Sequence, residues 1–287
     1  MFRSINHLLR HVSRSVASLA MLLLLAASQQ AQEKIGPTAI LGAMGEEVAL
    51  IESRLSDKQE RQVQGMTFFT GKLNGRPVVL ARSGIGKVNA AVTTILLIEH
   101  FNPSEVIFTG IAGAINPELF PGDVVIAVST AQHDYGANLA DRFEHRGAPN
   151  PADGRRNPVF IPADARLLDA AERASRSVQF DKIKIDGEER APRVIKGVVV
   201  TGDSFISSAS KKAELRKLLE ADAVEMEGAA VAQVCWQQSV PCLIIRSISD
   251  RADSNALRDI VNFQRIAARN SARLVAALLD QLESARQ

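Results

Sequence analysis

Short apolar runs rich in β-branched residues alternate with longer amphipathic stretches from residue 38 onward. The runs are apolar throughout, which is typical of strands that are covered on both faces. Such strands, separated by helices, predict one α/β domain with a central, mostly parallel or mixed sheet flanked by helices. The predicted strands are Thr38–Gly42, Pro77–Ser83, Glu105–Gly110, Asp123–Ser129, Val194–Gly202, Ala223–Met226 and Cys242–Ser249. The predicted helices are Glu46–Leu55, Lys87–Phe101, Ala163–Ser177, Lys211–Leu219, Gly228–Gln238 and Val261–Glu283.

The first 28 residues differ from the rest of the chain. Arginines without any acid precede an apolar run, Val16–Ala27, and Ala26 and Ser28 stand at the small positions of a cleavage site. This is the pattern of a secretory signal peptide, and the run is short for a membrane span of about 20 residues. We therefore predict a signal peptide over residues 1–28, a mature domain over 29–287, and a periplasmic or secreted location. A retained membrane anchor is the alternative.

Charge and cysteine content exclude several classes of protein. The chain of 287 residues has a formal net charge of +2. The arginines of the leader contribute more positive charge than this total, so the rest of the chain has a slightly negative net charge. The mature domain therefore lacks the broad cationic face of a nucleic-acid-binding protein. Cys235 and Cys242 have neither a CxxC spacing nor a nearby ligand cluster. We expect buried thiols, with a disulfide as the alternative, and neither a metal site nor a cofactor.

Two segments depart from the alternation of strands and helices, and the last predicted helix carries a row of arginines. The segment Gly136–Pro158 is polar and rich in proline, and its length predicts a functional cover or a mobile insertion. The charged segment Asp181–Arg193 predicts a surface excursion. On the last helix, Arg265, Arg269 and Arg273 recur every four residues and predict a solvated face without a phosphate site.

Two glycine-rich segments follow predicted strands. Gly84–Lys87 ends one strand and opens a helix, but Ala81 and Val88 depart from the Walker pattern. Asn89 occupies the third glycine position of a dinucleotide-binding motif. Thr109–Ala114 predicts a glycine turn at the carboxyl end of another strand, where ligands of open α/β sheets bind. Turn chemistry alone also accounts for either segment.

Acidic residues stand at the ends of three predicted strands. Glu46 and Glu47 follow the first strand, Glu225 and Glu227 flank the end of the sixth, and Asp250 follows the seventh. The dipole at a helix N-terminus is a sufficient reason for Glu46 and Glu47 taken alone. Because the carboxyl ends of parallel strands meet at one edge of a sheet, however, the acids together predict a shared site.

In this order, the motifs closely resemble those of the 5′-methylthioadenosine/S-adenosylhomocysteine nucleosidases, within the nucleoside phosphorylase superfamily. The resemblance spans Thr38 to Leu279. The motifs are Ala39–Glu47, Ser83–Val88, Thr109–Gly113, Gly122–Val125, His133–Asp134, Gly202–Ile206, Val224–Glu227 and Arg246–Asp250. The resemblance implies a single α/β domain around a mixed sheet, a homodimer, and an N-glycosyl hydrolase that releases adenine from a small nucleoside.

The resemblance also implies catalytic roles. Asp250 corresponds to the acid that protonates N7 of the departing purine, with Ser249 as its hydrogen-bonding support. Glu47 corresponds to the base that activates the attacking water, which Arg246 would help to position. The ribose becomes oxocarbenium-like as the bond breaks. Glu227 corresponds to the carboxylate that holds its 2′ and 3′ hydroxyls.

Substrate contacts are implied in the same way. Phe205 corresponds to the ring that stacks on adenine, and the backbone of Ile206 would read the purine edge. The apolar walls near the ribose and the 5′ group are Met44, Ile85 and Met226. Ala112 completes the substrate-binding set.

Departures from the family pattern concern the nucleophile and the 5′ group. Ile111 stands where relatives commonly have serine, and its side chain cannot hydrogen-bond, which argues against phosphorolysis. Ile260 stands at the position of an aromatic over the 5′ substituent. The other aromatics of the family's 5′ pocket fall in the divergent loop Gly136–Arg146, which contains Ala137 and Ala140. The alternatives are therefore a nucleosidase for another 5′-modified nucleoside, such as aminodeoxyfutalosine or 5′-deoxyadenosine, or a non-catalytic nucleoside-binding homologue.

Overall fold

The structure is a computed structural model that describes residues 36–185 and 187–284, without the side chains of 283 and 284. The predicted signal peptide lies outside the described residues. Within the described ranges, no helix combines the length and the hydropathy of a membrane span. The strands are β1 (Thr38–Gly42), β2 (Ser56–Val63), β3 (Met66–Leu73), β4 (Arg76–Arg82), β5 (Glu105–Ala114), β6 (Val124–Gln132), β7 (Gly136–Asn138), β8 (Phe143–His145), β9 (Ile161–Pro162), β10 (Ile183–Ile185), β11 (Glu188–Arg190), β12 (Val194–Thr201), β13 (Ala223–Glu225) and β14 (Cys242–Asp250). The helices are α1 (Gly45–Glu52), α2 (Lys87–Phe101), α3 (Ala165–Ser175), α4 (Ala209–Leu219), α5 (Gly228–Gln237) and α6 (Ala256–Ser284).

The central sheet is mixed, which confirms the predicted α/β class. Its strand order is β13-β12-β6-β14-β5-β1-β4-β3-β2, with β9 paired to β6. β1 runs parallel to β4 and β5, and β14 runs parallel to β5, so their carboxyl ends lie at one edge. β13 also pairs antiparallel with β5, where Ala223 lies opposite Ala114 and Val224 opposite Gly113. This pairing closes β5, β14, β6, β12 and β13 into a ring.

Both faces of the sheet are covered by helices, which explains the apolar strands. Alternate side chains of a strand point to opposite faces. On β1, Ala39 and Leu41 pack into a core with residues of α2 and α5. Ile40, between them, packs into a second core with residues of α1, α3 and α6. Because both faces need apolar side chains, no polar alternation remains in the sequence.

A β-hairpin on one edge was not among the predicted elements. β2 and β3 pair antiparallel, and β3 pairs antiparallel with β4. Seven of the eight residues of β2 are exposed, so the strand carries no apolar run. The turns Gln64-Gly65 and Asn74-Gly75 have positive φ at both residues, as two-residue hairpin turns require. The Asn-Gly pair, which joins β3 to β4, was the signal that could have revealed β3 as the partner of a predicted strand.

Two predicted irregular segments are ordered instead. β7 and β8 form a hairpin within Gly136–Pro158, and Pro149 bridges to Arg156, so the segment contains strand pairing that the sequence did not predict. The predicted glycine turn over Thr109–Ala114 is wrong, because β5 continues through it. The glycines serve close packing in that strand.

The charged segment Asp181–Arg193 is held against the rest of the fold by ion pairs. β10 and β11 form a hairpin, and Arg190 donates to the buried carboxylate of Asp123 at 2.8 Å. Arg269 and Arg273 lie 3.0 and 2.7 Å from the carboxylate of Asp181. These two arginines therefore anchor the hairpin to α6, and their assignment to a merely solvated face is wrong.

The two cysteines are free thiols. Cys235 on α5 is fully buried, as expected for a core thiol, and burial raises its pKa. Cys242 at the start of β14 is only half-buried. The disulfide alternative is therefore not realised in the structure.

Candidate active site

One cavity opens where the carboxyl ends of β1, β5, β13 and β14 meet. It encloses about 540 Å³, part of it open to solvent. It is lined by Ala43, Met44, Glu47, Ile85, Ile111, Ala112, Gly113, Phe205, Val224, Glu225, Met226, Glu227, Ser249, Asp250 and Ile260. Glu47, Glu227 and Asp250, which are far apart in the sequence, therefore share one cavity.

Glu47 is fixed in the first turn of α1. Its Oε2 accepts a hydrogen bond from the Met44 N–H at 2.8 Å, and its Oε1 accepts one from the Ile111 N–H at 3.0 Å. A Cβ on Gly110 would stand 2.6 Å from Oε1, so only glycine lets β5 approach this carboxylate. Burial raises the pKa of Glu47, although nearby Arg246 and the backbone hydrogen bonds oppose the rise. The result is a rigid carboxylate with proton affinity above that of an ordinary glutamate.

Asp250 is aimed by a bulge at the end of β14. Ile248 lies opposite Ala112 and Asp250 opposite Gly113, so Ser249 is an extra residue in the strand. The Ser249 hydroxyl donates to Oδ2 at 2.8 Å, and the Ala252 N–H donates to Oδ1 at 2.9 Å. Burial nevertheless raises the pKa of Asp250, which favours its protonated form.

Glu227 is the residue that precedes α5. Its Oε1 accepts a hydrogen bond from the Gly86 N–H at 2.8 Å, and its side chain lines the cavity. Burial, with the like charge of Glu225 second, raises the pKa of Glu227 to about 8. A neutral hydroxyl pair that donates to this carboxylate would favour the ionised form.

Arg246 lies behind the cavity and does not line it. Its Nε and Nη2 donate to Oε2 of Glu225 at 3.1 and 2.5 Å, and its guanidinium stacks over the ring of Phe108. Burial alone lowers the pKa of Arg246, but Glu225, Glu47 and Glu227 hold it above its ordinary value. Any help that Arg246 gives in positioning the water therefore acts through the carboxylates around it.

Glu225 had no assigned role in the sequence analysis. Its Oε2 binds Arg246 and also accepts hydrogen bonds from the N–H groups of Glu227 and Gly228, at 3.1 and 2.7 Å. Its Oε1 accepts from the hydroxyl of Thr201. Glu225 thus fixes the start of α5 and the arginine together. The Glu-Met-Glu spacing pointed to this residue, but only the fold shows which carboxylate the arginine takes.

Known proteins share this arrangement of fold and sequence. The family model described as the phosphorylase superfamily matches residues 37–280. A 5′-methylthioadenosine/S-adenosylhomocysteine nucleosidase from Psychromonas ingrahamii is 38% identical over 250 residues, which cover 87% of this chain and 99% of that protein. The chain belongs to the 5′-methylthioadenosine/S-adenosylhomocysteine nucleosidase family.

Solved structures agree with the family assignment. The nucleosidase of this family from Neisseria meningitidis, in complex with methylthio-immucillin-A, has a TM-score of 0.71 and 36% identity, with 85% of this chain and 99% of that chain covered. The futalosine hydrolase of Helicobacter pylori also has a TM-score of 0.71, with 30% identity and coverage of 86% and 98%.

The residues expected from the nucleosidase family to bind substrate surround the cavity. Met44, Ile85, Ala112 and Met226 line its main part. Phe205 lines both this part and a small adjoining branch, which Ile206 and Asp250 also line. The branch places the Phe205 ring and the acid side by side.

The ionisable side chains that line the cavity are all acidic. Among the described residues that line it, no side chain is Lys, Arg or His. The nearest buried cation, Arg246, is already paired with Glu225. A positive charge that develops on a bound ligand is therefore favoured, and an added anion is disfavoured.

Proposed function

We propose that the protein hydrolyses the N-glycosidic bond of 5′-methylthioadenosine- or S-adenosylhomocysteine-type nucleosides. The products are adenine and the 5′-substituted ribose. The observation that carries the proposal is that Glu47, Glu227 and Asp250 line one cavity in a chain of this family. Water supplies the hydroxyl of the ribose product, and the base leaves with a proton, so no metal or cofactor is required by the balance of the reaction.

Asp250 protonates the purine. Adenine is a poor leaving group until a proton reaches N7, and burial raises the pKa of the Asp250 carboxyl, which favours the protonated form that can donate. Phe205 would stack on the base in the adjoining branch, and Ile206 would contact its edge. The hydroxyl of Ser249 keeps the carboxyl aligned, since it donates to Oδ2.

Glu227 holds the ribose. Its carboxylate would accept hydrogen bonds from the 2′ and 3′ hydroxyls, while the Gly86 N–H fixes its other side. As the glycosidic bond breaks, positive charge grows on the ribose. Glu227 and Glu47 then stabilise the transition state more than the substrate, which is the condition for faster catalysis.

Glu47 activates the water. Its carboxylate is held by the N–H groups of Met44 and Ile111, and it takes a proton from water on the ribose side of the cavity. Arg246 and Glu225 are positioning residues, because their buried ion pair anchors the start of α5. Arg246 also lowers the pKa of Glu47 and so opposes the effect of burial.

Water is favoured over phosphate as the nucleophile. Ile111 lines the cavity beside Glu47 and offers no hydrogen bond from its side chain. The lining among the described residues also lacks a cation that could hold a phosphate. Both features support hydrolysis over phosphorolysis.

Another 5′-modified nucleoside is the second candidate substrate. The similarity to the Helicobacter pylori futalosine hydrolase favours it, as does the aliphatic Ile260 on the cavity wall. Relative kcat/KM for 5′-methylthioadenosine, S-adenosylhomocysteine, 5′-deoxyadenosine and aminodeoxyfutalosine would decide between the candidates. Release of adenine from such by-products would serve nucleoside catabolism and methionine salvage.

We propose further that the protein is a homodimer. Ile85, Val88 and Val92 expose large apolar surfaces at the start of α2, and Trp236 is 48% exposed on α5. Ile85 also lines the cavity, so a second copy seated here would lie beside the substrate. Light scattering should give twice the chain mass, and Val88→Glu should yield monomers; a wild-type monomer would contradict the proposal.

Export with removal of residues 1–28 is proposed as well, on the leader pattern in the sequence. N-terminal sequencing of protein from a fractionated host should find Gln29 first, in the periplasm or the medium. A full-length chain in the membrane fraction would instead support the retained anchor.

The test of the activity uses residues 29–287, with 5′-methylthioadenosine and no phosphate. Adenine should appear at a rate that added phosphate does not increase. Glu47→Gln should abolish most of it, whereas Glu46→Gln, which changes the adjacent exposed acid in the same way, should not. Binding without adenine from any of the four nucleosides would support a non-catalytic binding protein.

A further inference from the structure

Three charged residues outside the cavity join three segments of the fold. Lys87 is the first residue of α2, and its Nζ lies 2.6 Å from Oδ1 of Asp134, just after β6. Asp203, just after β12, accepts a hydrogen bond from the Lys87 N–H at 2.8 Å on its Oδ1. The Asp203 N–H donates in turn to Oδ2 of Asp134 at 2.9 Å. We call Lys87, Asp134 and Asp203 the Lys87 cluster.

The Lys87 cluster replaces a missing helix cap. The residue before α2 is Gly86, which has no side chain to accept hydrogen bonds from the first turn. Asp203 supplies that acceptor from a different segment, and its charge favours the helix N-terminus. Gly86 has a φ of 97°, so the turn adopts a conformation that only glycine takes readily. Asp203 therefore holds the glycine turn at the start of α2 in place.

Two of the three segments that meet in the Lys87 cluster, those of Lys87 and Asp203, continue into the wall of the cavity. Next to Lys87, the Gly86 N–H donates to Oε1 of Glu227 at 2.8 Å, and Ile85 lines the cavity. Two residues after Asp203, Phe205 lines the branch for the base. The Lys87 cluster thus connects the segment that contacts Glu227 with the segment that carries Phe205.

Electrostatics favour the cluster in its ionised form. Burial alone would raise the pKa of Asp134, but hydrogen bonds from Lys87 and the Asp203 backbone lower it below its ordinary value. The Lys87 side chain is only 17% exposed, and its Nζ also donates to Gln132 at 3.1 Å. The amide of Gln132 donates to Gln233 on α5, the helix that follows Glu227. The contacts therefore reach Glu227 from two directions.

We propose that the Lys87 cluster positions Glu227 and Phe205 for the nucleoside. Its members are positioning residues, since none of them lines the cavity. The inference rests on the proposed function for the kinetic part of its test. Lys87→Met is expected to lower kcat/KM for 5′-methylthioadenosine about 10- to 100-fold, because displacement of a binding group by about 1 Å has an effect of that order. Lys87→Arg, which keeps the cation, should recover part of the loss.

A matched control separates positioning from general loss of an ion pair. Lys196 pairs with Glu172 at 2.8 Å, on the surface and outside the cavity lining. Lys196→Met should leave kcat/KM within about twofold of the wild type, as surface pairs contribute little. The 3′-deoxy analogue of the substrate adds a second control, since it lacks a hydroxyl for Glu227. The loss caused by Lys87→Met should be at least fivefold smaller for this analogue; equal losses would overturn the proposed action through Glu227.

Amide hydrogen exchange tests the inference without reference to catalysis. The N–H groups of Gly86 and Lys87 both donate to carboxylates, so they should be protected in the wild type. Asp203→Ala should speed their exchange at least tenfold, with the core of α2 still protected as a sign of correct folding. Unchanged exchange would overturn the positioning role even in an active enzyme. A wild type that releases no adenine would refute the proposed function alone.

Discussion

The two ends of the cavity are built differently. At the base and ribose end, Asp250, Glu227 and Glu47 are buried, and each accepts a hydrogen bond from the backbone of another segment or the next turn. At the other end, Ile85 is 54% exposed and Ile260 is half-buried, and neither side chain can form a hydrogen bond. Under the proposed function, the fixed end would determine which bond breaks, and the open, aliphatic end would determine which 5′ group is accepted. The proposal therefore predicts that substitutions can change substrate choice without changing the reaction.

The largest effect among the tests of this contrast is expected for the variant Asp250→Asn. An amide has no proton to give to N7, so kcat should fall about 100- to 10,000-fold, the usual contribution of a general acid. The binding of an adenine nucleoside, measured by calorimetry, should change little. Asp253→Asn, which alters a nearby acid outside the cavity lining, is the control. Equal turnover of Asp250→Asn and the wild type would contradict the assignment of Asp250 as the general acid.

A substitution at the open end of the cavity should change the selectivity between substrates and leave the maximal rate nearly unchanged. Ile260→Phe adds a ring over the 5′ group and should shift relative kcat/KM among 5′-substituted adenosines about tenfold, as expected for a change in apolar contact. The rate for the preferred substrate at saturation should stay close to that of the wild type. A collapse of kcat for every substrate would show that the two ends are not independent.

Ile111 lies beside Glu47 at the fixed end, and Ile111→Ser tests whether its side chain excludes phosphate. Because the Ile111 N–H and not its side chain holds Glu47, a serine should change adenine release less than about tenfold. Added phosphate should still not increase the rate, since no cation lines the described cavity. A phosphate-dependent rate in this variant would show that Ile111 alone excludes phosphorolysis.

The smallest effect concerns stability and pH. Folding raises the pKa of Glu227 from its ordinary 4.5 to about 8, so its protonated form suits the empty site. Its contribution to stability is full below pH 4.5 and is lost as pH rises through 8. The Tm of Glu227→Gln relative to the wild type should therefore rise between pH 5 and pH 9, by several degrees, with each pKa unit worth about 1.4 kcal/mol. Glu46→Gln should show no such slope; a flat difference for Glu227→Gln would contradict the burial argument.

The sequence predicted those parts of the molecule that depend on local pattern. Apolar strands and their alternation with helices gave the α/β class, and acids at strand ends gave Glu47 and Asp250 as neighbours. The bulge at Ser249 was not predictable, because it depends on the register between β14 and β5. The same holds for the pair of Arg246 with Glu225 and for Asp203 as a helix cap, since both join residues that only the sheet brings together. The exposed strand β2 was missed because pairing, not side-chain burial, holds it.

The antiparallel pairing of β13 with β5 has a consequence for how adenine enters. Val224 and Gly113, which face each other in that pairing, both line the branch for the base. Two walls that share backbone hydrogen bonds cannot separate to admit a larger ring without breaking the ladder. Phe205 lines another wall of the branch and is 42% exposed, so purines enlarged toward the ladder should be rejected more strongly than those enlarged toward the phenyl ring.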